Sequence, residues 1–493
     1  VKLKKLIQDL PEITLKGPKE IEITGISANS KLVAPGNLYI AKKGKTHDGG
    51  EFIQEALQAG ANAILSDLYD PGIKDVPQLV VKDINSVEAK LLKTFYHHPS
   101  HELLMIGVTG TSGKTTVSYM LKHVLEHFIG PAGIIGTIEY QFGDVRHTAT
   151  HSTPDIERNY KMLREMADMK MSLCIMEVTS HALSQGRVEG IDFDAALFTN
   201  LTPEHLDYHL NMEAYADSKC KLFKSLDKKA APKKNGKSKI AIINKDSPYF
   251  TKMCEASSVP ILSYGLKEAD ITAENIDLGS SKTHFFVRYK DFLEPCTLPF
   301  AGLHNVYNAL SVIALALSFG FPLKEIVERL RGTPPVPGRL EKVKNKSGVH
   351  VYIDYAHKPD ALENILRSLK MMPHSKLITV FGCGGDRDRL KRSVMGSISE
   401  SFSDFTIVTS DNPRTEKPED IISEIVKGFK SSSSYQIVMD RKEAIFTSLK
   451  MASKNDIVLI AGKGHEAYQV FSHQTVPFDD RLVVNEFFAM HES

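Results

Sequence analysis

A chain of 493 residues exceeds what one hydrophobic core organises, and at roughly 150 residues per domain it implies about three. Lys+Arg 61 against Asp+Glu 60 leaves a formal net charge of +1, so no bulk field recruits nucleic acid or an anionic membrane, and small-molecule chemistry is the expectation. The five cysteines (Cys174, Cys220, Cys254, Cys296, Cys383) are odd in number, widely spaced and without a CxxC pair, which argues against a disulfide framework or a zinc ribbon.

The N-terminus, VKLKKLIQDLPEI, has too short an apolar stretch for a signal peptide, and no run of eighteen apolar residues follows. A soluble, cytoplasmic protein is expected. Residues 1–98 alternate short β-like segments (EIEITGISANS, GNLYIAKKG, AILSD, QLVVKD) with a helix-like FIQEALQAGA, which predicts a small α/β domain. His97-His98-Pro99-Ser100 reads as a linker. From residue 99 to 335 strand-like runs (LLMIGVT, SLCIMEV, DAALFTNL, KIAIINK) separated by helical patterns predict a parallel sheet covered by helices. The basic stretch DKKAAPKKNGKSK, Asp227 to Lys239, lacks aromatic residues for stacking and is expected to be a solvated loop. The proline-rich Thr333-Pro334-Pro335-Val336-Pro337-Gly338 suits neither helix nor central strand and predicts a joint. Beyond it, residues 336–493 carry five β-rich runs (VHVYIDYA, KLITVFGCGG, FTIVTSD, YQIVMD, DIVLIAGKG), expected to form a second open parallel sheet with ligands at its carboxyl edge.

The most informative segment is LLMIGVTGTSGKTTV, Leu103 to Val117. An apolar strand pattern enters a glycine-rich turn and leaves through Lys114-Thr115-Thr116 into a helical pattern, which is the context a phosphate loop requires. Backbone N–H groups of Gly110, Thr111, Ser112 and Gly113 can line an anion nest, Lys114 can reach β/γ-phosphates, and the Thr115 hydroxyl can hold Mg²⁺. Val108 stands where the commonest phosphate-loop spacing has glycine, so the match is to a subclass. Glu177 closes an apolar strand pattern in MEVTSHALSQGRVEG, where an open sheet presents catalytic groups. FTNLTPEHLDYHLNMEAYADSKCKLF brings His205, Asp207, His209 and Lys219 close in sequence. His205 and His209 are spaced i, i+4, but no HExxH or third soft ligand accompanies them, and beside a triphosphate loop Mg²⁺ is the natural ion.

TGTSGKTT, MEVTSHAL, FTNLTPEHLDYH with a following DSK, GLHNVYNAL, PGRLE, DYAHKPDALE, VFGCGGDRD, DNPRTE and AGKGHE occur in the order found in the Mur ligases, and the chain resembles that family from about residue 26 to about 482. Among its branches the resemblance is greatest to the tripeptide synthetases, which add a third amino acid to UDP-N-acetylmuramoyl-L-alanyl-D-glutamate. The resemblance implies an α/β fold of three domains: a UDP-binding domain, a central phosphate-loop ATPase domain and a C-terminal Rossmann-like domain. It implies ATP-dependent amide formation through an acyl phosphate, with ATP and Mg²⁺ required. Lys114, Glu177, His205 and Lys219 would form the catalytic set. Thr115 and Glu177 would ligate one Mg²⁺, His205 a second, and Lys219 would carry the family's carbamate. Gly110 to Thr116, Asn305, Asn308, Arg339, Asp354 and His357 would contact ATP. Ser30, Ser152, Thr153, Thr179, Gln185 and Arg187 would contact the nucleotide sugar.

The DNPR motif resembles the version in enzymes that add meso-2,6-diaminopimelate rather than L-lysine. Diaminopimelate has a distal carboxylate that a guanidinium can clamp bidentately. Arg387, Asp411, Asn412, Arg414, Gly462 and Glu466 match the family's contacts to it. Two departures stand out: the first domain's usual Asp-Ser-Arg reads Asn29-Ser30-Lys31, and Pro203 replaces an arginine or glutamine in the metal loop. The competing readings are an L-lysine-adding ligase, a folylpolyglutamate-synthetase-like ligase, which would lack the first domain and DNPR, and a precursor-binding regulator without turnover. A monomer is the expected state.

Overall fold

The computed structural model describes residues 1–44, 47–226, 233 and 236–491. The chain is an α/β protein of three domains, each built on its own main sheet. In the first, strands Gly25–Ser27, Asn37–Ile40, Ala63–Ser66 and Gln78–Val80 run parallel, and Thr14–Lys16 closes the far edge antiparallel to Gln78–Val80.

The central sheet has eleven strands. At its middle lies Leu104–Thr109, every residue of which is buried. Its side chains alternate between two cores: Met105 packs into one face, and Leu104, Ile106 and Val108 into the other. Burial on both faces explains a continuous apolar run in place of polar alternation. Leu173–Glu177 and Ala195–Phe198 pair with it in parallel, one on each side. The expected parallel sheet is therefore present at the centre, and it is extended at both ends by antiparallel strands. One extension is Glu139–Phe142 and Val145–Thr148; at the other end Ile271–Leu278 still joins parallel to Ile261–Gly265, and Thr283–Tyr289 and Phe292–Leu298 follow it as antiparallel pairs. The latter strands alternate buried and exposed residues, the pattern of a sheet wet on one face.

After the Pro334-Pro335 joint, His350–Asp354, Ile457–Ala461, Leu377–Phe381, Phe405–Val408 and Tyr435–Ile437 form a parallel sheet in that spatial order, with Glu341–Val343 antiparallel at one edge. Separate cores cover its two faces. Its carboxyl edge is braced from within by Arg441 and Asp480, both fully buried. The guanidinium Nε and Nη2 lie 2.8 Å from the carboxylate, and Nη2 also donates to the Ala461 carbonyl at 3.0 Å.

Of the basic stretch expected to be a solvated loop, residues 227–232, 234 and 235 lie outside the described residues. Lys233 corrects that expectation. Its side chain is 3% exposed, and its ammonium sits 2.8 Å from Asp194 and donates to the Ser100 carbonyl at 2.8 Å. The reason is Asp194, a buried carboxylate that accepts from Met105 N at 2.7 Å and needs a counter-charge. Among the described residues no helix is long and apolar enough to cross a membrane.

The buried pair yields a stability prediction. Asp480→Asn leaves Arg441 charged and unpaired in the interior, which costs on the order of 3–5 kcal/mol. Urea unfolding followed by far-UV circular dichroism, suitable for a chain without tryptophan, should show the C-terminal transition moving to lower denaturant. An unmoved transition would show that the pair adds nothing.

Candidate active site

Three adjacent strands end side by side, and the site is built on their carboxyl ends. Thr109 leads into the phosphate loop, Glu177 ends the neighbouring strand, and Phe198 leads into Thr199 and Asn200. Gly110 (φ +148°) and Gly113 (φ +87°) adopt backbone angles that side-chain-bearing residues rarely take. A Cβ on Gly110 would lie 1.9 Å from Thr199 Oγ1. The loop is clamped from that side: Asn200 accepts from Thr111 N (2.9 Å) and, through Oδ1, from Ser112 N (2.9 Å), while Thr199 Oγ1 donates to the Ser112 carbonyl at 2.7 Å. Thr199 and Asn200 were not singled out in the sequence. Their signal was their place directly after an apolar strand.

Lys114 begins the helix Lys114–Phe128 and folds back to donate to the Gly110 and Thr111 carbonyls, each at 2.9 Å. Burial, with the Arg339 guanidinium adding to it against the pull of Glu177, pushes its amine down to about 8. Glu177 has no exposed surface. It accepts from Thr115 Oγ1 (3.1 Å), Thr137 Oγ1 (2.8 Å) and Thr137 N (3.0 Å), and its backbone carbonyl accepts from Thr153 Oγ1 at 2.7 Å. Thr137 is a further residue the sequence reading missed. Its hydroxyl follows the strand Ala132–Ile135 and also bonds Ser152 Oγ at 2.7 Å.

His205, at φ +56°, caps the short helix Leu206–His209. Burial and the Lys114 and Lys219 ammonium groups push its imidazole down to about 4, leaving a neutral ring able to ligate a metal. Lys219, on the helix Met212–Lys224, is 1% exposed, and its Nζ donates to the Gly110 carbonyl at 2.9 Å and lies 4.6 Å from the Tyr215 ring centre. Burial first, then Lys114, holds its amine well below the usual lysine range. The donor set around Thr115 and Glu177 consists of hard oxygens with few protein ligands, which fits Mg²⁺, an ion that keeps waters and substrate phosphates in its shell.

A cavity of about 1110 Å³ opens over these strand ends. Of the sequence-assigned residues, Thr111 to Thr116, Glu177, His205, Asn308, Arg339, Asp354 and His357 line it, as do Ser152, Thr153, Thr179 and Arg187. Gly110 and Lys219 lie beneath the loop. Asn305 is not in the wall: its Nδ2 donates to the Ala301 carbonyl at 2.8 Å and its Oδ1 accepts from Asn308 at 3.1 Å, so it holds Asn308 from behind. Gln185 and Ser30 also lie outside the lining. Gln185 accepts from Arg187 (2.7 Å), and Ser30 donates to Glu55 in the first domain (3.0 Å).

The C-terminal domain supplies the facing wall. Arg339 Nη2 donates across the joint to Thr115 Oγ1 at 3.3 Å, and its guanidinium lies 4.7 Å from the Tyr355 ring centre. Asp354 accepts from Leu340 N (2.6 Å) and Ala356 N (2.7 Å), and burial raises its carboxyl to about 6. His357, pushed down to about 4 by burial, sets its Nδ1 2.8 Å from the Tyr355 carbonyl. Lys391, absent from the sequence assignments, donates to the His357 carbonyl at 2.8 Å.

Arg387, Asp411, Asn412, Arg414, Gly462 and Glu466 gather in a separate loop cluster at the carboxyl edge of the third sheet. Asn412 donates to Glu466 (2.9 Å) and accepts from Lys463 (3.1 Å), a fully buried lysine that the sequence reading passed over. Arg414, at φ +54°, donates from Nη1 to the Gly385 carbonyl at 2.8 Å, and Gly462 closes against Asp411. Arg387 is exposed at the rim. Tyr355 joins the two regions, since it lines the cavity while its hydroxyl reaches Glu466 at 3.5 Å.

Three regions of the chain match known family models. Residues 22–96, 108–316 and 338–464 match, respectively, the Mur ligase family catalytic domain, the Mur ligase middle domain and the Mur ligase glutamate ligase domain. The chain is 42% identical to the UDP-N-acetylmuramoyl-L-alanyl-D-glutamate--2,6-diaminopimelate ligase of Chlamydia pneumoniae, over 99% of each chain. It is 40% identical to the protein of the same name from Caldanaerobacter subterraneus, over 97% of each. A solved structure of a ligase of that name superposes with a TM-score of 0.71 at 29% identity, covering 100% of this chain and 99% of the other.

The phosphate loop gives a direct prediction. Gly110→Ala drives a methyl group into Thr199 at a backbone angle alanine resists. ADP affinity measured by calorimetry should fall by about a hundredfold or more, as expected of a loop whose nest is lost, while the circular dichroism spectrum stays unchanged. Wild-type affinity would show that the loop tolerates the shift.

Proposed function

The chain belongs to the Mur ligase family, and we propose that it joins meso-2,6-diaminopimelate to UDP-N-acetylmuramoyl-L-alanyl-D-glutamate with cleavage of ATP to ADP and phosphate. The three working units would be residues 1–98 for the nucleotide sugar, 99–335 for ATP and 336–493 for the amino acid. The observation that carries this reading is Tyr355, which places the phosphate-loop cavity and the Asn412–Glu466 cluster in contact through one side chain.

A carboxylate and an ammonium ion do not condense near neutral pH. The peptide carboxylate therefore takes the γ-phosphoryl group, with the O–P bond to ADP breaking as the acyl phosphate forms. The neutral amine of the second substrate then attacks the acyl carbon, inorganic phosphate leaves, and the amine's remaining extra proton is lost to solvent. Lys114 on one wall and Arg339 on the other supply the positive charge that the transferred group requires. Mg²⁺, held by Thr115 and Glu177 with His205 and Lys219 at a second position, would neutralise phosphoryl charge.

Lys219 suits modification. Burial disfavours the charged form of this amine, and a neutral Nζ can attack CO₂, forming an N–C bond and releasing a proton to give a carbamate with hard anionic oxygens. Lys219→Ala should lose most ligase activity and regain part of it when a small carboxylic acid is added. Full activity without such an addition would remove the carbamate from the mechanism.

Substrate choice tests the reading as a whole. With Arg414 facing the distal carboxylate, the enzyme should favour meso-diaminopimelate over L-lysine by about 10⁴-fold in kcat/KM, as for a site whose polar group a wrong substrate leaves unpaired. Arg414→Ala should narrow that ratio, losing far more for diaminopimelate than for lysine. Comparable wild-type rates with the two amino acids would overturn the assignment.

A further inference from the structure

The loop carrying His205 and the C-terminal domain meet at a charged contact that the assigned sites leave unused. The Glu204 carboxylate is ion-paired with Lys358 across the joint, and its Oε1 lies 2.9 Å from His205 Nε2. Both partners start from stiff backbone. Pro203 fixes the chain immediately before Glu204. Lys358 is extended (φ −133°, ψ 153°) at the cap of the helix Pro359–Lys370, whose first residue is proline, and a residue preceding proline is confined to that region. The Glu204 side chain is 11% exposed, so its carboxylate is largely withdrawn from solvent and depends on its neighbours.

We propose that Glu204 and Lys358 form a cross-domain positioning pair, through which closure of the C-terminal domain orients the His205 imidazole. Lys358 stands among like charges, with Lys114 on the central domain and Lys391 on its own. Glu204 is the counter-charge that lets this cationic wall approach the phosphate loop. The same carboxylate touches the ring of His205, and a metal-binding imidazole has its orientation and tautomer set by the carboxylate at its other nitrogen. Pro203 belongs to this device. Where the family's commoner arginine or glutamine would put a competing hydrogen-bond donor beside Glu204, proline leaves the carboxylate to Lys358 and removes a degree of freedom from the loop. Both side chains line the cavity and act here through the His205 ring and the closure contact, as positioning residues.

The inference rests on His205 as a metal ligand, as in the proposed function, and a double-mutant cycle separates the two. Glu204→Gln, Lys358→Met and the double variant are titrated with ADP in the presence of Mg²⁺ by calorimetry, and their dimensions are measured by solution scattering. Each single variant should bind Mg²⁺-ADP about tenfold more weakly, within the range of couplings for residues in contact, and show a larger radius of gyration than the wild type. The double variant should be no worse than either single one. Additive losses, near a hundredfold, would overturn the pair, as would wild-type affinity and dimensions in both single variants. Binding of the UDP-linked substrate should be unchanged throughout, and its loss in the same variants would assign the effect to the fold and refute the inference. Wild-type Mg²⁺ dependence in His205→Ala, with a coupled cycle, would instead sink the metal-ligand reading and leave the closure contact standing.

Discussion

Everything in the active site is arranged around Glu177, a carboxylate with no access to solvent. A lone buried anion would be severely destabilising, and this one is kept by hydroxyl and amide donors from Thr115 and Thr137. Those donors come from the phosphate-loop helix and from the turn after the neighbouring strand, so satisfying Glu177 fixes the position of each relative to the other. Gly136 makes the arrangement possible: a Cβ there would lie 2.5 Å from Glu177 Oε1. The site's geometry is thus a by-product of solving one desolvation problem at the edge of a sheet.

The cations obey the same logic in reverse. Lys114 and Lys391 are both held below the ordinary lysine range, in each case chiefly by burial. Their charge is least stable in the protein alone and best stabilised with a polyanion between the two walls. Lys114 and Lys391 place that cost on both sides of the joint.

How far the sequence foretold this differs from element to element. Strand Leu104–Thr109 and the loop after it were legible because an apolar run, glycines and Lys114-Thr115 coincide at one place, and each has a separate physical reason. The centre of the large sheet was legible for the same reason, since strands buried on both faces read as uninterrupted apolar runs. Its antiparallel ends were not, because strands such as Thr283–Tyr289 carry a weak alternation that a linear reading merges with loop. Thr137 and Lys391 carry no such signal, because their roles depend on neighbours far away in the chain and a threonine or lysine alone has no motif. Asn305 shows what spacing leaves open: an amide one helical turn from Asn308 can also support its neighbour, and here its Oδ1 accepts from Asn308. Lys233 was misread because a run of lysines was averaged into a solvated face, while one of them was needed by Asp194.

The hydrophobic cores carry one more consequence. A single continuous cluster runs from Leu3 and Leu92 of the first domain through Ile156 and Tyr160 into the centre of the large sheet, whereas the third domain has cores of its own on both faces of its sheet. The first two domains are thus joined by shared apolar packing, whereas the C-terminal domain is reached through the proline-rich segment before Gly338.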